Sequence, residues 1–523
     1  MRDATKFSII GHARSGALAH AWRLFRDAGL EDAADDPEAL SLRGRLLKDE
    51  AAAAEPASRR GLWRAAAEAY RRAGALGGGT YPLINAAALS LLAGDVEAAR
   101  AGARDVLERL EADARDTPYY LAATRAEALL LLGEAPAAEQ ALAEAVARAP
   151  QAWEDHASTL RQFELILSAQ GAGTAWLDRF RPPRVAHFAG HMAIAPDDAI
   201  LRAEIADLLA RERIGFAHGA LAAGADLIIA EELLAAGGEL NVVLPAPPDR
   251  FRETSVARFG DGWAARFDAC LDSAAGVRWL APASADGVPD DLDVRLSVEV
   301  AMGHAALQAA SLATEGVQVV VLDSGAPSAD DGGSAWAATA WSAAGRRQHL
   351  IVRPRAAGPT LALPMTEPAA RLAALLAVLL PPGADLAELA RAVAAGPDTL
   401  VRPRWLDRRL SLAYATPEEA ARAALALLAI GGAAEPLTIT GGYGVVRRTD
   451  DPFGGPPLLV GRSDPFALLA STPPDAAHVT GDFAAALHAG APPAGLRAEY
   501  VGELPEGEVE NPTRLYALRR LGA

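Results

Sequence analysis

The sequence predicts a multidomain protein with three architectures in succession: an all-α helical-repeat region, a central parallel α/β sheet, and a C-terminal α+β sandwich. Three observations carry this expectation. The 523 residues exceed what one hydrophobic core holds. From about Arg14 to Gly171 the chain reads as almost continuous amphipathic, alanine-rich helix, broken by Gly, Pro and Asp at helix-hairpin intervals. From Arg184 onward, strand-length apolar runs alternate with helical segments and glycine turns, the pattern of a parallel sheet.

Composition narrows the class. With 51% hydrophobic and 22% charged residues the chain is that of a soluble globular protein. A formal charge of −17 argues against broad nucleic-acid binding, which needs a basic footprint. Cys270 is the single cysteine, which excludes an intramolecular disulfide and a cysteine-built zinc site. The N-terminal M-R-D-A-T-K-F-S-I-I-G-H lacks the apolar core of a signal peptide. The longest apolar run, Leu372 to Leu380, falls far short of the roughly 20 residues a membrane span needs. A cytoplasmic protein without membrane contact is expected.

The first region, residues 1–178, contains an internal echo. Leu91–Ala99 (L-L-A-G-D-V-E-A-A) and Leu130–Ala138 (L-L-L-G-E-A-P-A-A) share a pattern in which a helix closes on glycine, an acidic residue caps the next helix, and paired alanines allow close approach. Gly94 and Gly133 lie 39 residues apart, somewhat more than the roughly 34 of a tetratricopeptide repeat. Ala66–Leu76 reads as the second helix of an earlier repeat. Stacked helix pairs of this kind expose a concave face suited to a protein partner, although a purely architectural role serves equally well. His156 falls inside a helical pattern and is expected to be packed or capping.

R-F-R-P-P-R (Arg179 to Arg184) reads as a linker, because two prolines cannot continue a helix. The α/β region, residues 184–355, opens R-V-A-H-F-A-G-H-M and continues through G-F-A-H-G-A-L-A-A-G-A-D-L to N-V-V-L-P. Later strands are expected at Val277–Leu280, Val317–Asp323 and His349–Val352, with a long helix from about Asp293 to Ala313. V-Q-V-V-V-L-D is almost wholly apolar, as a central parallel strand should be. Turns at Gly190, at Gly219 to Gly224, and at Gly332, Gly333 and Ser334 all fall at one edge of this sheet. Glycine in such turns lets backbone N–H groups and a helix N-terminus approach a phosphate. The same glycines also suit simple close packing of helix on strand. Two such turns in one unit favour a ligand site at the carboxyl edge of the sheet. Its expected members are Gly190, His191, Gly219, Gly224, Asp226, Gly332, Gly333 and Ser334. Asp226, in a first helical turn, reads as a cap or ribose contact rather than a base. His187 and His191 are four apart on a strand end, a poor arrangement for a metal, and no metal site or cofactor is expected.

These phrases resemble the SLOG superfamily of Rossmann-like nucleotide-sensing domains. More narrowly, they resemble the version found beside a helical "TRAFs-binding" region and a class III nucleotidyl cyclase domain. G-T-Y-P-L-I-N-A-A-A-L (Gly79–Leu89), T-P-Y-Y-L-A-A-T-R-A-E-A (Thr117–Ala128) and W-E-D-H-A-S-T-L-R-Q-F (Trp153–Phe163) are similar to the TRAFs-binding family. Enzymatic SLOG relatives carry a catalytic glutamate after the glycine run. Here G-G-S-A-W-A-A-T-A-W has no acid, and Asp226, Glu231 and Glu232 are the only nearby carboxylates.

After the proline-rich join Arg353–Pro364, residues 365–523 read as strand, helix, a hairpin around Arg404 to Ala413, a helix from Pro417, a strand at Pro436–Thr440 and a closing strand near Arg514–Arg519. That order suggests a ferredoxin-like sandwich. R-W-L-D-R-R-L-S-L-A-Y-A-T-P-E-E-A-A, T-D-D-P-F-G-G-P-P-L-L-V-G, S-T-P-P-D-A-A-H-V-T and Y-V-G-E-L-P…R-L-Y-A-L-R-R resemble a class III cyclase homology domain. Cyclases of this class use two aspartates to hold two metal ions. The resemblance puts Leu379 at the first of these positions and Asp407 at the second, with Ser463 and Ala467 where an asparagine and an arginine steady the transition state. It therefore implies a pseudo-cyclase in which Asp407 is a relic or a hairpin salt-bridge partner. The favoured function is a non-enzymatic signalling protein. It would bind a nucleotide-like small molecule in the SLOG-like domain, a protein partner through the helical repeats, and a second copy through the cyclase-like domain. The alternatives are an enzyme, either a residual cyclase or a nucleotide hydrolase, and a pure scaffold.

Overall fold

The computed structural model describes residues 2–111, 116–280, 288–323, 332–356, 364, 366–431, 436–452, 455, 457–461, 463–491, 495–504 and 513–520. The chain begins with helices α1 (Arg2–Arg14), α2 (Leu18–Asp27), α3 (Pro37–Ala53), α4 (Pro56–Ala75), α5 (Thr80–Leu92), α6 (Val96–Leu110), α7 (Pro118–Leu132), α8 (Ala135–Arg148) and α9 (Trp153–Gln170). From α3 to α8 each helix packs on the next, and α9 lies against α5 and α7. Helix starts and stops follow local chemistry. Asp36 accepts hydrogen bonds from the backbone N–H groups of Glu38 and Ala39, ahead of Pro37 at the first helical position. Gly94 and Gly133 adopt φ of 90° and 86°, which end α5 and α7 at the two echoed positions. The expected acidic cap forms in one echo only. Asp95 accepts from Ala98 N, whereas the Glu134 side chain makes no capping bond. His156 is buried and stacked on Tyr119, its Nε2 2.8 Å from Ala149 O.

The expected linker is shorter than R-F-R-P-P-R, since Arg179 and Phe180 complete a 3-10 helix, Ala175–Phe180. Arg181 is tied to Glu164 and Asp178 at 2.7 and 2.8 Å, so the joint is a fixed corner.

Six parallel strands follow: β1 (Arg184–Gly190), β2 (Ile214–Gly219), β3 (Glu239–Leu244), β4 (Gly276–Trp279), β5 (Gly316–Asp323) and β6 (Arg347–Arg353), in the order 4-3-2-1-5-6. They are connected by α10 (Ala199–Arg211), α11 (Ala225–Ala235), α12 (Pro248–Ser255), α13 (Asp261–Asp272), α14 (Asp291–Ser311) and α15 (Gly332–Ala343). The strand order reverses between β1 and β5, the place where open α/β sheets leave a crevice beyond the carboxyl ends. The five residues Val317–Val321 of β5 are all buried, as its apolar run requires.

The last sheet is mixed. Its strands are β7 (Ala370–Leu379), β8 (Arg404–Leu406), β9 (Arg409–Tyr414), β10 (Thr438–Thr449), β11 (Leu458–Gly461), β12 (Ala476–Thr480), β13 (Leu496–Leu504) and β14 (Thr513–Arg520), with helices α16 (Leu386–Ala395), α17 (Pro417–Gly431) and α18 (Gly481–Ala489). The order is 13-14-12-10-7-9-8, with β11 paired to β10. β10 runs twelve residues, longer than the expected Pro436–Thr440. Within the quoted motifs, residues 357–363, 453–454, 456 and 505 lie outside the described residues.

The α/β and C-terminal units share a core. Leu296, Val300 and Ala301 of α14 belong to the same apolar cluster as Leu376, Phe483 and Ala485. Gly303 makes this contact feasible, since a Cβ there would lie 1.8 Å from Ala485 O. At the other end, α1 and its turn dock on the C-terminal sheet: Arg519 donates to Ala13 O and Arg14 O, and His478 Nε2 lies 2.7 Å from Ser15 O.

Candidate ligand crevice at the sheet switch point

The carboxyl ends of β1 and β5 open into a cavity of about 400 Å³. Its polar lining includes His191, Asp226, Ser255 and Ser334, and its apolar lining includes Phe251 and Phe259. Of the residues expected in a ligand site, Gly190, His191, Asp226, Gly333 and Ser334 line this cavity, whereas Gly219 and Gly224 do not. Gly332 begins α15, beside its lining neighbours. The preceding loop segment 324–331 lies outside the described residues.

The glycines have packing causes of their own. A Cβ on Gly190 would sit 2.3 Å from Ala225 Cβ, and one on Gly219 would meet the Phe188 ring at 2.7 Å. Gly224 has φ 95°, and its Cβ would lie 2.4 Å from Met192 O. The Gly190 and Gly224 contacts seat α11 against the end of β1, and the Gly219 contact packs β2 on β1. They leave Asp226 under the crevice rather than clearing a path for a phosphate at each glycine. Gly333 likewise abuts Val298 of α14.

Asp226 is the unusual group. It is 5% exposed; its Oδ2 accepts from Ala222 N at 3.3 Å, and its buried Oδ1 has no hydrogen-bond partner among the described residues. Burial raises its pKa to about 8, an effect that the backbone N–H groups of Ala222 and Gly190 offset only in part. At neutral pH the group is therefore largely a carboxylic acid. In that form it can donate a hydrogen bond as well as accept one. The other two carboxylates expected nearby are engaged. Arg202 holds Glu232 at 2.7 Å, and Arg266 holds Glu231 at 2.7 Å. Burial works against ionisation of Glu231, but the Arg266 and Arg202 guanidiniums outweigh it and keep the carboxyl below its ordinary value.

His191 is fixed by a 3.0 Å contact between Nε2 and Arg353 O. His187 turns into the sheet, with Nδ1 3.0 Å from Gln318 Nε2, and burial lowers its pKa to about 3. It belongs to a polar row running along paired strand positions, Asn241, His218, His187, Gln318 and Gln348. Among the described residues, no group of three or more His, Cys, Asp or Glu side chains is placed to hold a metal ion.

In the C-terminal sheet, Leu379 ends β7 opposite Arg409, and Leu380 N bonds Arg408 O at 2.9 Å. The β8–β9 turn carrying Asp407 (φ 55°) therefore lies beside the end of β7. Asp407 is exposed and makes no ion pair among the described residues. Ser463 packs against Gly442 of β10, and Ala467 lies in the 3-10 helix Pro465–Ser471.

Sequence reasoning missed Phe251, Ser255 and Phe259, which follow β3 in a stretch without a motif. It also missed Asp291 and Ser297 on the cavity side of α14. Asp293 and Ser297 are buried in this helix, but its sequence also carries Arg295, Glu299, His304 and Gln308, so polarity alone did not single them out.

Comparison with known proteins adds one family match. Residues 6–90 match the family model described as tetratricopeptide repeats-sensor, so the helices of that stretch are similar to repeats of tetratricopeptide type. No curated protein matches the sequence. Among solved structures, the catalytic core of a rhodopsin-guanylyl cyclase with converted specificity is similar at 9% identity and TM-score 0.24, covering 29% of this chain and 98% of that one. The adenylyl cyclase CyaB from P. aeruginosa is similar at 9% identity and TM-score 0.22, over 28% of this chain and 95% of that one. An O-GlcNAc transferase mutant from Thermobaculum terrenum is similar at 18% identity and TM-score 0.18, over 61% of this chain and 54% of that one. The chain is thus a helical-repeat protein carrying one parallel and one mixed sheet. No helix of the described residues is long and apolar enough to cross a membrane.

Proposed function

We infer that this chain is a non-enzymatic sensor whose central domain, SLOG-like in its sequence motifs, binds a nucleotide or nucleotide-derived ligand in the β1/β5 crevice. The observation that carries the reading is Asp226, a buried acid with an unpartnered oxygen beneath a cavity at the topological switch point. The apolar lining from Phe251 and Phe259 suits a base or nicotinamide-sized ring. Ser334 and the first turn of α15 suit the polar end of such a ligand. The TRAFs-binding-like repeats and a pseudo-cyclase domain then serve as interaction modules, the latter through pairing with a second copy. The shared core of α14 with α18 gives crevice occupancy a rigid route to the C-terminal sheet.

An exposed Asp407 without a second acid at Leu379 supports the non-enzymatic reading, because two-metal cyclisation needs both ligands. The test is a thermal-shift panel of ATP, GTP, NAD, ADP-ribose, AMP and 3′,5′-cyclic nucleotides, with and without magnesium. A ligand at 100 times its Kd adds about 2.7 kcal/mol. Incubation with ATP or GTP and magnesium or manganese should yield no cyclic product. Product formation, or a flat panel, would count against the proposal.

A further inference from the structure

A second cavity, of about 750 Å³, lies at the opposite edge of the parallel sheet, where the helical repeats, the sheet and the C-terminal domain meet. Its wall carries six arginines. Arg161 comes from α9, Arg181 from the corner before the sheet, Arg184 and Arg347 from the first residues of β1 and β6, Arg213 from the residue before β2, and Arg497 from β13. Three carboxylates, Glu164, Asp178 and Glu315, share that wall. In a chain of net charge −17, such an excess of guanidinium is out of keeping with the rest of the molecule.

The carboxylates are concentrated on half of these arginines. Arg181 bonds Glu164 and Asp178, Arg184 bonds Glu212 and Glu315, and Arg347 bonds Glu315 at 3.1 Å. Arg161 makes no ion pair among the described residues and donates only to a backbone carbonyl, Ser311 O, at 2.7 Å. Arg213, held at φ 51°, donates to Arg181 O at 3.2 Å. Arg497 has only a 3.5 Å contact with Glu499. Burial and then the neighbouring Arg497 charge lower the Arg161 pKa, and Glu164 and Glu499 compensate only in part. Two like charges from different domains thus face one cavity, balanced only in part by Glu164 and Glu499.

We propose that this arginine-walled cavity is a second ligand site, taking a polyvalent phosphate chain that bridges Arg161 of the repeats, Arg213 of the sheet and Arg497 of the C-terminal domain. Guanidinium forks pair with phosphate oxygens in bidentate geometry, and the five N–H donors of a guanidinium exceed the single contact that Arg161, Arg213 and Arg497 each make among the described residues. The bound anion replaces repulsion between the repeats and the C-terminal domain with a shared counter-ion, so its presence tightens the association of the three units. The site is separate from the crevice at the carboxyl edge and does not depend on it.

The experiment is calorimetric titration of the full chain with inorganic tripolyphosphate, in wild type, in the Arg161→Gln/Arg497→Gln double variant, in Ser334→Tyr at the opposite crevice, and in Arg179→Gln. Arg179 is ion-paired to Glu139 and does not line the cavity. The expected result is saturable binding in wild type, unchanged in Ser334→Tyr and Arg179→Gln, and at least about tenfold weaker in the double variant. The double variant loses a repulsion together with the Arg161–Ser311 O bond and the Arg497–Glu499 contact, so its melt without ligand serves to confirm that it is folded. Competition by ATP for the same site identifies a nucleotide-borne chain as the source. Failure of ATP to compete identifies free polyphosphate. Absence of saturable binding at millimolar tripolyphosphate overturns the proposal. So does equal affinity in the double variant, or an equal loss in Arg179→Gln.

Discussion

Replacing Asp226 by asparagine should change how stability depends on pH, in a direction fixed by the state of the buried acid. The folded pKa of about 8 stands above the ordinary 3.8. A carboxyl group raised in this way contributes stability that is complete below about pH 4 and is lost as pH rises through 8. Between those limits the native state holds one proton more than the unfolded chain at this position. Wild type therefore loses about 1.4 kcal/mol per pH unit relative to Asp226→Asn. From pH 5 to pH 7 the accumulated difference is about 2.7 kcal/mol. For cooperative unfolding of a unit of this size, that corresponds to roughly 3–5 °C of midpoint per pH unit. Asparagine keeps the size and a donor, so the packing contribution cancels along the series. Thermal melts of both proteins at half-unit steps from pH 5 to 8 give the difference directly. Parallel curves would mean that Asp226 is ionised in the native protein, and the argument that it offers a neutral donor to the crevice would then fail.

Other substitutions probe neighbouring claims. His218, 2.6 Å from Gln308 Oε1, has its pKa lowered by burial to about 4. Its contribution is present above about pH 6.5 and lost as pH falls, so wild type should lose about 1.4 kcal/mol per pH unit to His218→Gln between pH 6 and 4, read from the same melts. Gly303→Val drives a side chain into the Ala485 backbone and should cost about 3 kcal/mol or more, seen as a lower denaturant midpoint. Gly224→Val collides with Met192 O at a left-handed φ, and should destabilise the apo protein by several kcal/mol whether or not a ligand is bound. A normal apo midpoint for that variant would show that the α11 approach is looser than described. Asp36→Ala removes two bonds to the α3 N-terminus and should cost about 1 kcal/mol by chemical denaturation.

Much of the fold was legible because local chemistry and long-range packing agree. The apolar run of β5 and the left-handed glycines after α5 and α7 are examples. The stretch Ala476–Ala489 was not legible, because β12 passes straight into α18 without a proline or glycine-rich break. Nor could the sequence show that α14 lends residues to two sheets, since periodicity marks an apolar face but not what covers it. In the crevice, Asp226, His191 and Ser334 were recognisable from their turns. The glycines were recognisable for a reason that sequence cannot divide, because close packing and close ligand approach both demand a missing Cβ. The arginine-walled cavity was invisible, because its members come from separate elements that only the assembled chain brings together.

The central claim is that the β1/β5 crevice binds a nucleotide-like ligand. Its most direct test is hydrogen exchange of the full chain with the compound giving the largest thermal shift, in wild type and in Ser334→Tyr, which puts a bulky ring on a residue lining the cavity. The account predicts ligand-dependent protection at residues 190–193, 222–226 and in the first turn of α15, lost in the variant while its apo exchange stays unchanged. Protection that survives Ser334→Tyr, or that falls only at the arginine-walled cavity, would contradict it.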